Sequence, residues 1–153
     1  MAFRFPLQAV FHFRQSIEHQ QESRLRAANQ AVAKIRYLID GVDARIREIQ
    51  VGAARELAAG TTAAELYFAH TAETSLQAQR FDLARELTRL QLLRDQQQQL
   101  FHQARRERET LESLRNQQMR AYQQQQARRE QRQVDDAFLS RLSYFKRGSK
   151  LPE

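Results

Sequence analysis

The feature that most constrains the fold of this chain is an apolar stripe between Leu25 and Ala53. Small or apolar residues recur there at alternating intervals of three and four positions. The stripe consists of Leu25, Ala28, Val32, Ile35, Ile39, Val42, Ile46, Ile49 and Ala53. Its mean interval of about 3.5 residues is the period of a left-handed coiled-coil seam. Because polar residues fill the positions between, the stripe is too narrow for a globular core, and it predicts a helix that needs one partner helix.

The composition favours long helices and excludes several kinds of site. The chain of 153 residues contains four glycines and two prolines, and the prolines stand at positions 6 and 152. Gln, Arg, Ala, Leu and Glu predominate, which is typical of coiled coils. Because cysteine is absent, disulfide bonds, thiol catalysis and thiolate metal sites are excluded. No apolar run approaches the roughly 20 residues of a membrane span and no signal peptide is evident, so we expect a cytoplasmic protein.

A turn is predicted at about residues 59–62. Gly60 suits the left-handed conformation that closes the carboxyl end of a helix. Thr62 and Glu65 have the spacing of a capping box, in which each side chain hydrogen-bonds the backbone N–H of the other residue. A helix stop followed at once by a helix start predicts an αα-hairpin.

The expected fold is all-α, with two long helices forming one antiparallel coiled-coil hairpin over residues 1–153. Helix one is predicted at about 6–58, with Pro6 in its first turn, and helix two at about 63–145, followed by a basic tail at 146–153. The predicted seam of helix two contains Leu66, Ala69, Leu76, Leu83, Leu87 and Leu90. Folding back at residue 60 pairs positions whose numbers sum to roughly 120, so Leu87 and Leu90 should face Val32 and Ile35.

The seam is expected to change character along the hairpin. Its middle is polar, at Arg14, Glu18 and Gln21 on helix one and at 94–102 on helix two. At the open end, Leu7 and Val10 are expected to face Leu111 and Leu114. Past about residue 115 helix one has run out, so the longer helix two should continue as a C-terminal overhang rich in Gln and Arg.

The sequence contains few residues in arrangements that could bind a metal or catalyse a reaction. His12 and His19 share a helix face, but no acidic cluster joins them or the two other histidines, so no metal site is expected. Neither a glycine-rich phosphate loop nor a supported Ser/His/Asp arrangement is present. We therefore expect no catalytic residues and no cofactor, and a protein that is not an enzyme.

Both ends of the chain resemble those of the flagellar export protein family FliJ. The start, Phe3-Arg4-Phe5-x-Leu7-Gln8-x-Val10, is similar to the family's N-terminus. The stretch Glu130-Gln131-x-x-Val134-Asp135-Asp136-Ala137-Phe138 is similar to its C-terminal segment. The resemblance extends over the whole chain and includes the YscO-like proteins of injectisomes. It implies a two-helix stalk that binds the hexameric export ATPase, promotes its assembly, contacts the export gate and escorts export chaperones.

Two contact surfaces are expected, one at the overhang because a stalk must present an end that a ring can hold, and one after the turn because the resemblance implies it. The overhang is expected to contact the ATPase ring through Arg128, Arg129, Arg132, Phe138 and Leu142. The stripe just after the turn is expected to contact the gate or chaperones through Phe68, Ala72, Ser75 and Gln79. An alternative for Phe68 is simple packing at the turn beside Leu66.

The net charge of +7 leaves two other functions open. A basic helix can track the phosphates of a nucleic acid, although here Arg alternates with Glu and Gln and forms no unbroken basic stripe. Alternatively, the tail Tyr144-Phe145-Lys146-Arg147 could tether a membrane-peripheral scaffold to an anionic surface. The resemblance itself implies a cytoplasmic protein, associated peripherally with the inner face of the membrane at the flagellar base, with no nucleic acid as partner.

Overall fold

The computed structural model describes residues 3–148, with side chains to residue 145, and contains two helices. Helix α1 spans Gln8–Ala59, 52 residues, and helix α2 spans Ala63–Gly148, 86 residues. No strand occurs within residues 3–148. The predicted all-α hairpin with a longer second helix is therefore confirmed. Residues 149–153 of the predicted basic tail lie outside the described residues.

The start of α1 differs slightly from the predicted start near residue 6. Pro6 and Leu7 form a turn, and the Gln8 N–H donates to the Phe5 carbonyl at 3.2 Å. The first helical residue is Gln8. Proline has no N–H and fixes its own φ, so it suits the second position of a turn as well as the first turn of a helix.

The connection between the helices has the predicted chemistry. Gly60 has a φ of 87° and its N–H donates to the Leu57 carbonyl at 3.3 Å, which closes α1. The Thr62 N–H donates to Glu65 Oε2 at 2.9 Å, and the Glu65 N–H donates to Thr62 Oγ1 at 3.3 Å. These reciprocal bonds are the capping box, and they satisfy amides that the helix itself leaves without partners.

The chain divides into two compact units, and the larger one is Gln15–Arg105. It contains most of α1, the turn and the first half of α2. Val32 and Val42 are buried in it, at 3% and 4% exposure. The other residues of the sequence-derived seam in this unit are half-buried: Leu25, Ile35, Ile39, Ile46, Ile49, Leu76, Leu83, Leu87 and Leu90. In a two-helix seam each residue packs against only one facing helix, which explains why burial is mostly partial.

Polar contacts across this unit show that the helices are antiparallel. Arg80 Nε donates to Asp43 Oδ1 at 2.5 Å, and Gln50 Nε2 donates to Glu73 Oε1 at 2.6 Å. Both pairs lie almost symmetrically about Gly60 in sequence. The Asp43 carboxylate also raises the pKa of Arg80. These contacts are exposed, so they select the register more than they stabilise the fold.

In the polar part of the seam, two side-chain amides form a direct hydrogen bond between the helices. Gln97 Nε2 donates to Gln21 Oε1 at 2.5 Å and to the Gln21 carbonyl at 3.3 Å. Both residues are half-buried. A polar pair inside a coiled-coil seam reduces stability but favours one alignment of the helices, because other alignments leave the amides without partners.

The second unit contains the chain up to Arg14 and from Arg106 onward. Phe5 and Phe11 are buried here, at 5% and 7% exposure, and Arg115 lies over the Phe11 ring with its Cζ 5.8 Å from the ring centroid. Arg14 Nη1 contacts Glu107 Oε2 at 2.5 Å.

At this end, burial does not centre on the two residues that the sequence suggested. Leu7 and Val10 remain 37% and 43% exposed, and Phe5 takes the buried place. Phe5 precedes α1, so the helical period does not set the direction of its side chain. Phe3 also lies before the helix, and its ring centroid is 5.7 Å from that of Tyr122. This contact extends the packing of α2 past residue 115.

Candidate functional site

The described part of the chain has no enclosed reaction site. No polar or charged side chain among these residues is buried, and no group of three or more His, Asp or Glu residues could hold a metal ion there. Neither described helix is long and apolar enough to cross a membrane. The candidate sites are therefore exposed surfaces, and three of them combine apolar residues with polar or charged ones.

The first is the C-terminal surface, which we define as residues 127–145 of α2. Every side chain in this range is exposed. Phe138 and Leu142 are 63% and 41% exposed, and Arg128, Arg129 and Arg132 stand about two to four turns before them. The structure thus brings all five sequence-predicted ring-contact residues onto one exposed helical segment.

In this segment, the spacing of the residues places the apolar and the basic side chains on different faces of α2. Val134, Phe138, Leu142 and Phe145 follow intervals of four, four and three, which place them on one side of α2. Arg128 and Arg132 are one turn apart and lie on an adjacent side. Arg128, Arg129 and Arg132 make no ion pair within the described residues. The segment therefore presents an apolar face beside a cationic one.

The second surface is the apical stripe, which consists of Phe68, Ala72, Ser75 and Gln79 just after the turn. All four residues are exposed, and the Phe68 side chain is 77% exposed. Leu66 is half-buried in the seam, whereas Phe68 lies in solvent and does not pack beside it. The alternative of simple packing at the turn is therefore wrong. An aromatic ring left in solvent offers a large apolar contact area to a partner.

The third surface, the Gly41 groove, was missed by sequence reasoning. It is a hollow of about 260 Å³ between α1 and α2 in the unit Gln15–Arg105. Its lining consists of Tyr37, Leu38, Gly41, Val42, Arg45, Gln79 and Leu83. Gln79 belongs to the apical stripe, so the two surfaces share one residue. The signal was present in the sequence, since Gly41 is a glycine inside a helix, where alanine would be more favourable.

The turn beside the apical stripe carries the most strongly shifted carboxyl. Hydrogen bonds from the Thr61 hydroxyl and from the Thr62 backbone and hydroxyl lower the pKa of Glu65 to about 2. The carboxylate is thus ionised throughout the neutral range. It lies in the first turn of α2, where negative charge complements the helix dipole.

Taken together, these features define a two-helix antiparallel coiled-coil protein whose potential contacts lie along its faces and at its C-terminal surface.

Comparison with known families identifies the family to which this coiled-coil protein belongs. The family model described as flagellar FliJ protein matches residues 3–149 of the chain. The chain belongs to the FliJ family and is a component of the flagellar export apparatus. Neither a curated protein nor a solved structure matches it. The resemblance seen at both ends of the sequence is thereby confirmed.

Proposed function

We propose that this protein is a non-enzymatic stalk of the flagellar export apparatus. In this proposal its C-terminal surface binds the hexameric export ATPase and promotes assembly and turnover of the ring. Its apical stripe contacts the cytoplasmic region of the export gate, and the same stripe receives export chaperones. The protein is then needed for flagellum assembly and motility.

The observation that carries the proposal is the unbroken exposure of α2 from Ala127 to Phe145. A single exposed helix of this length, rich in Gln and Arg, is marginal in water because it buries little apolar area. Its apolar face, which includes Phe138 at 63% exposure, gains stability when a partner covers it. Membership of the FliJ family makes an export-apparatus component the expected partner.

The residue types suggest how the ring would be held. Arg128, Arg129 and Arg132 can form charge-assisted hydrogen bonds to carboxylates, and the planar guanidinium suits bidentate pairing. Phe138 and Leu142 can fill apolar hollows nearby. This combination of buried apolar anchors and flanking arginine is typical of the residues that dominate protein interfaces.

The test compares full-length variants in an assay of the purified export ATPase. Replacement of Arg128, Arg129 and Arg132 by Glu should weaken stimulation of turnover and hexamer formation by at least about tenfold, equivalent to about 1.4 kcal/mol. The loss should be larger at low salt, where screening is least. Phe138→Ala should weaken stimulation without changing its salt dependence.

A matched control keeps the change in net charge constant. Arg36, Arg47 and Arg55 are exposed on α1, and their replacement by Glu changes the charge by the same amount. This control variant should stimulate the ATPase like the wild type. Equal loss in both triple variants would show that net charge alone matters and would contradict a ring contact at the C-terminal surface.

A separate measurement addresses the apical stripe. Phe68→Ala should weaken binding to the purified cytoplasmic region of the export gate, or to an export chaperone, and leave ATPase stimulation unchanged. Tyr67→Ala is the control, because Tyr67 is 70% exposed but points to a different side of α2. If both substitutions weaken binding equally, the stripe is not the contact.

The proposed location follows from these partners. A protein that binds both the export ATPase and the gate would be cytoplasmic and peripherally associated with the inner face of the membrane at the flagellar base. Fluorescent fusion protein should form foci at flagellar bases, and the foci should disperse when the triple charge reversal and Phe68→Ala are combined.

A further inference from the structure

The apolar face of the C-terminal surface lies on the far side of α2 from the start of the chain. Earlier on α2, Tyr122 faces the N-terminal segment, and its ring centroid is 5.7 Å from that of Phe3. Phe138 follows Tyr122 by sixteen residues, which places it about 160° round the helix at 3.6 residues per turn. A partner can therefore reach the apolar face without displacing the packing of the N-terminal segment.

One carboxylate stands among the apolar side chains of this surface. Asp135 lies one turn before Phe138 and Leu139, which border it on the helix surface. Leu142 lies two turns after it in the same row, and all four side chains are exposed. The Asp135 carboxylate accepts a hydrogen bond from Gln131 Nε2 at 2.9 Å, and it makes no ion pair within the described residues.

A partner that covers the apolar face must also cover this carboxylate. Asp135, Phe138 and Leu139 lie within about one turn of each other, so no flat surface can contact the two apolar side chains and leave the acid in water. An ionised carboxylate that loses its water is costly to bury, and one amide donor replaces only part of the lost hydration. A cation compensates for the loss more fully. The face therefore selects partners that bring a positive charge.

The chain's own arginines do not neutralise the acid. Arg132 precedes Asp135 by three residues, yet the two make no ion pair in the structure. A basic residue that precedes its acid is the less favourable order on a helix. Arg128 lies two turns before Asp135 on the same side of α2. Along this side, the helix thus presents two cations followed by one anion.

We infer that Asp135 pairs with an arginine or lysine of the protein that covers the apolar face, and that this pair fixes the direction of α2 in the complex. A complementary surface carries acidic groups first and a basic group about one to two turns further on. In the reverse direction like charges would meet, which disfavours that arrangement. The inference deepens the proposed function and rests on it only for the identity of the partner, the export ATPase.

An anionic membrane is the competing occupant, because a helix with apolar and basic residues can lie on one. The position of Asp135 opposes this, since anionic head groups would repel a carboxylate that lies beside Phe138 and Leu139. Sedimentation with vesicles of anionic phospholipid separates the two cases. Vesicle binding that Phe138→Ala abolishes and Asp135→Asn strengthens would assign the face to lipid and overturn the inference.

The first test measures the affinity of full-length variants for the purified export ATPase. Asp135→Asn keeps the shape of the side chain and removes its charge, and it should weaken binding by at least about tenfold. Asp136→Asn is the matched control, because it makes the same chemical change about 100° further round α2, beyond Leu139. This control should bind like the wild type. Equal losses at the two positions would overturn the inference.

The second test measures the charge preference without the ATPase. The probes are two stapled helical peptides of Ala and Gln, each with two Leu residues one turn to either side of a central Lys or a central Glu. Magnetic resonance titration of the full-length protein gives the ratio of the two affinities. Asp135→Lys should shift this ratio towards the Glu peptide by at least about tenfold, and Asp136→Lys should shift it less. Equal shifts would contradict a specific role for Asp135.

The two tests distinguish failure of the inference from failure of the proposed function. Suppose that the wild-type protein does not bind the ATPase, while Asp135→Lys alone changes the peptide preference. That result would refute the proposed function and support the inference. ATPase binding that depends on Arg128 and Arg132 but is unchanged by Asp135→Asn would do the reverse.

Discussion

The seam near the turn and the C-terminal surface contain similar apolar residues in opposite environments. Between 25 and 53, the apolar side chains of the stripe lie buried or half-buried, and Val32 is 3% exposed. Between 127 and 145, apolar side chains of the same kinds are exposed, and Val134 is 63% exposed. The difference is the presence of a facing helix, because a helix in a hairpin buries only the face that meets its partner. Apolar spacing alone thus does not distinguish a face that stabilises the fold from one that is free to bind.

The comparison separates stability from binding within one protein. Each apolar side chain buried in the seam contributes roughly 1.5–3 kcal/mol when burial is complete, and less here, where most burial is partial. The same side chains at the C-terminal surface contribute nothing comparable until a partner covers them. Substitutions in the two regions should therefore affect different measurements.

The largest expected effect is a charge placed in the seam. Val32→Asp puts a carboxylate at a position that is 3% exposed, and it should lower the free energy of unfolding by about 3–5 kcal/mol. Val134→Asp introduces the same charge at an exposed position and should change stability by less than about 0.5 kcal/mol. Urea denaturation followed by circular dichroism measures both. Similar losses would abolish the distinction between the two regions.

A crosslink across the seam tests which positions face each other. Ile35→Cys combined with Leu87→Cys should oxidise to an intramolecular disulfide, since both residues are half-buried on opposite sides of the turn. The chain has no other cysteine to compete. Closing this loop should stabilise the oxidised protein by about 2–4 kcal/mol.

The control for the crosslink moves one cysteine off the seam. Arg36→Cys with Leu87→Cys should crosslink slowly, because residue 36 is exposed on another face of α1. Faster oxidation of the 36/87 pair than of the 35/87 pair, read from non-reducing gels, would show that the register differs from the one described.

The turn brings the two helices together, and it should be sensitive to the loss of glycine at position 60. Gly60 has a φ of 87°, so Gly60→Ala should cost about 1–2 kcal/mol. No atom lies within 4 Å of a Cβ at this position, so the cost is conformational and not steric. Gly52→Ala, in the interior of α1, should instead stabilise the protein by about 1 kcal/mol. Thermal unfolding distinguishes the two signs, and stabilisation by Gly60→Ala would contradict the assigned turn.

The smallest expected effect is a pH dependence at the cap of α2. The pKa of Glu65 falls from 4.5 to about 2 on folding, chiefly through the Thr61 hydroxyl and then Thr62. A lowered folded-state pKa means that the stabilisation is fully present above pH 4.5 and is lost as the pH falls towards 2. Because the group is exposed, the change should be small. In a magnetic resonance titration of the Glu65 carboxyl, Thr61→Ala should move the pKa back towards 4.5, and an unchanged pKa would show that the Thr61 bond is not its main cause.

Much of the local structure could be predicted because it depends on neighbours in the sequence. The capping bonds between Thr62 and Glu65 join residues three positions apart, and Gly60 acts through its own backbone angle. The packing of Phe5 and Phe3 could not be predicted in this way. Both precede α1, where no helical period sets the direction of a side chain.

The candidate surfaces show the same difference between what local spacing predicts and what only tertiary contacts decide. Spacing placed Arg128 and Arg132 on one side of a helix, and their exposure followed from the lack of a facing segment in the structure. The exposure of Phe68 could not be decided by spacing, because a residue near a turn can fold inward or outward. Gly41 marked an unusual position in α1, but the groove itself could not be predicted from it, since its lining comes from residues some forty positions apart on two helices.

The sequence by itself determined that the chain forms two helices, where the turn falls, and which face of α1 is apolar. These properties follow from periods of three and four residues, from one glycine and from one cap, all of which act over a few neighbouring residues. The tertiary structure alone decided which polar residues pair across the seam, as Gln21 does with Gln97, and which apolar side chains remain in solvent. The physical reason is that burial and hydrogen bonding depend on the distance to the opposite helix, and a sequence pattern specifies the direction of a side chain but not what lies opposite it.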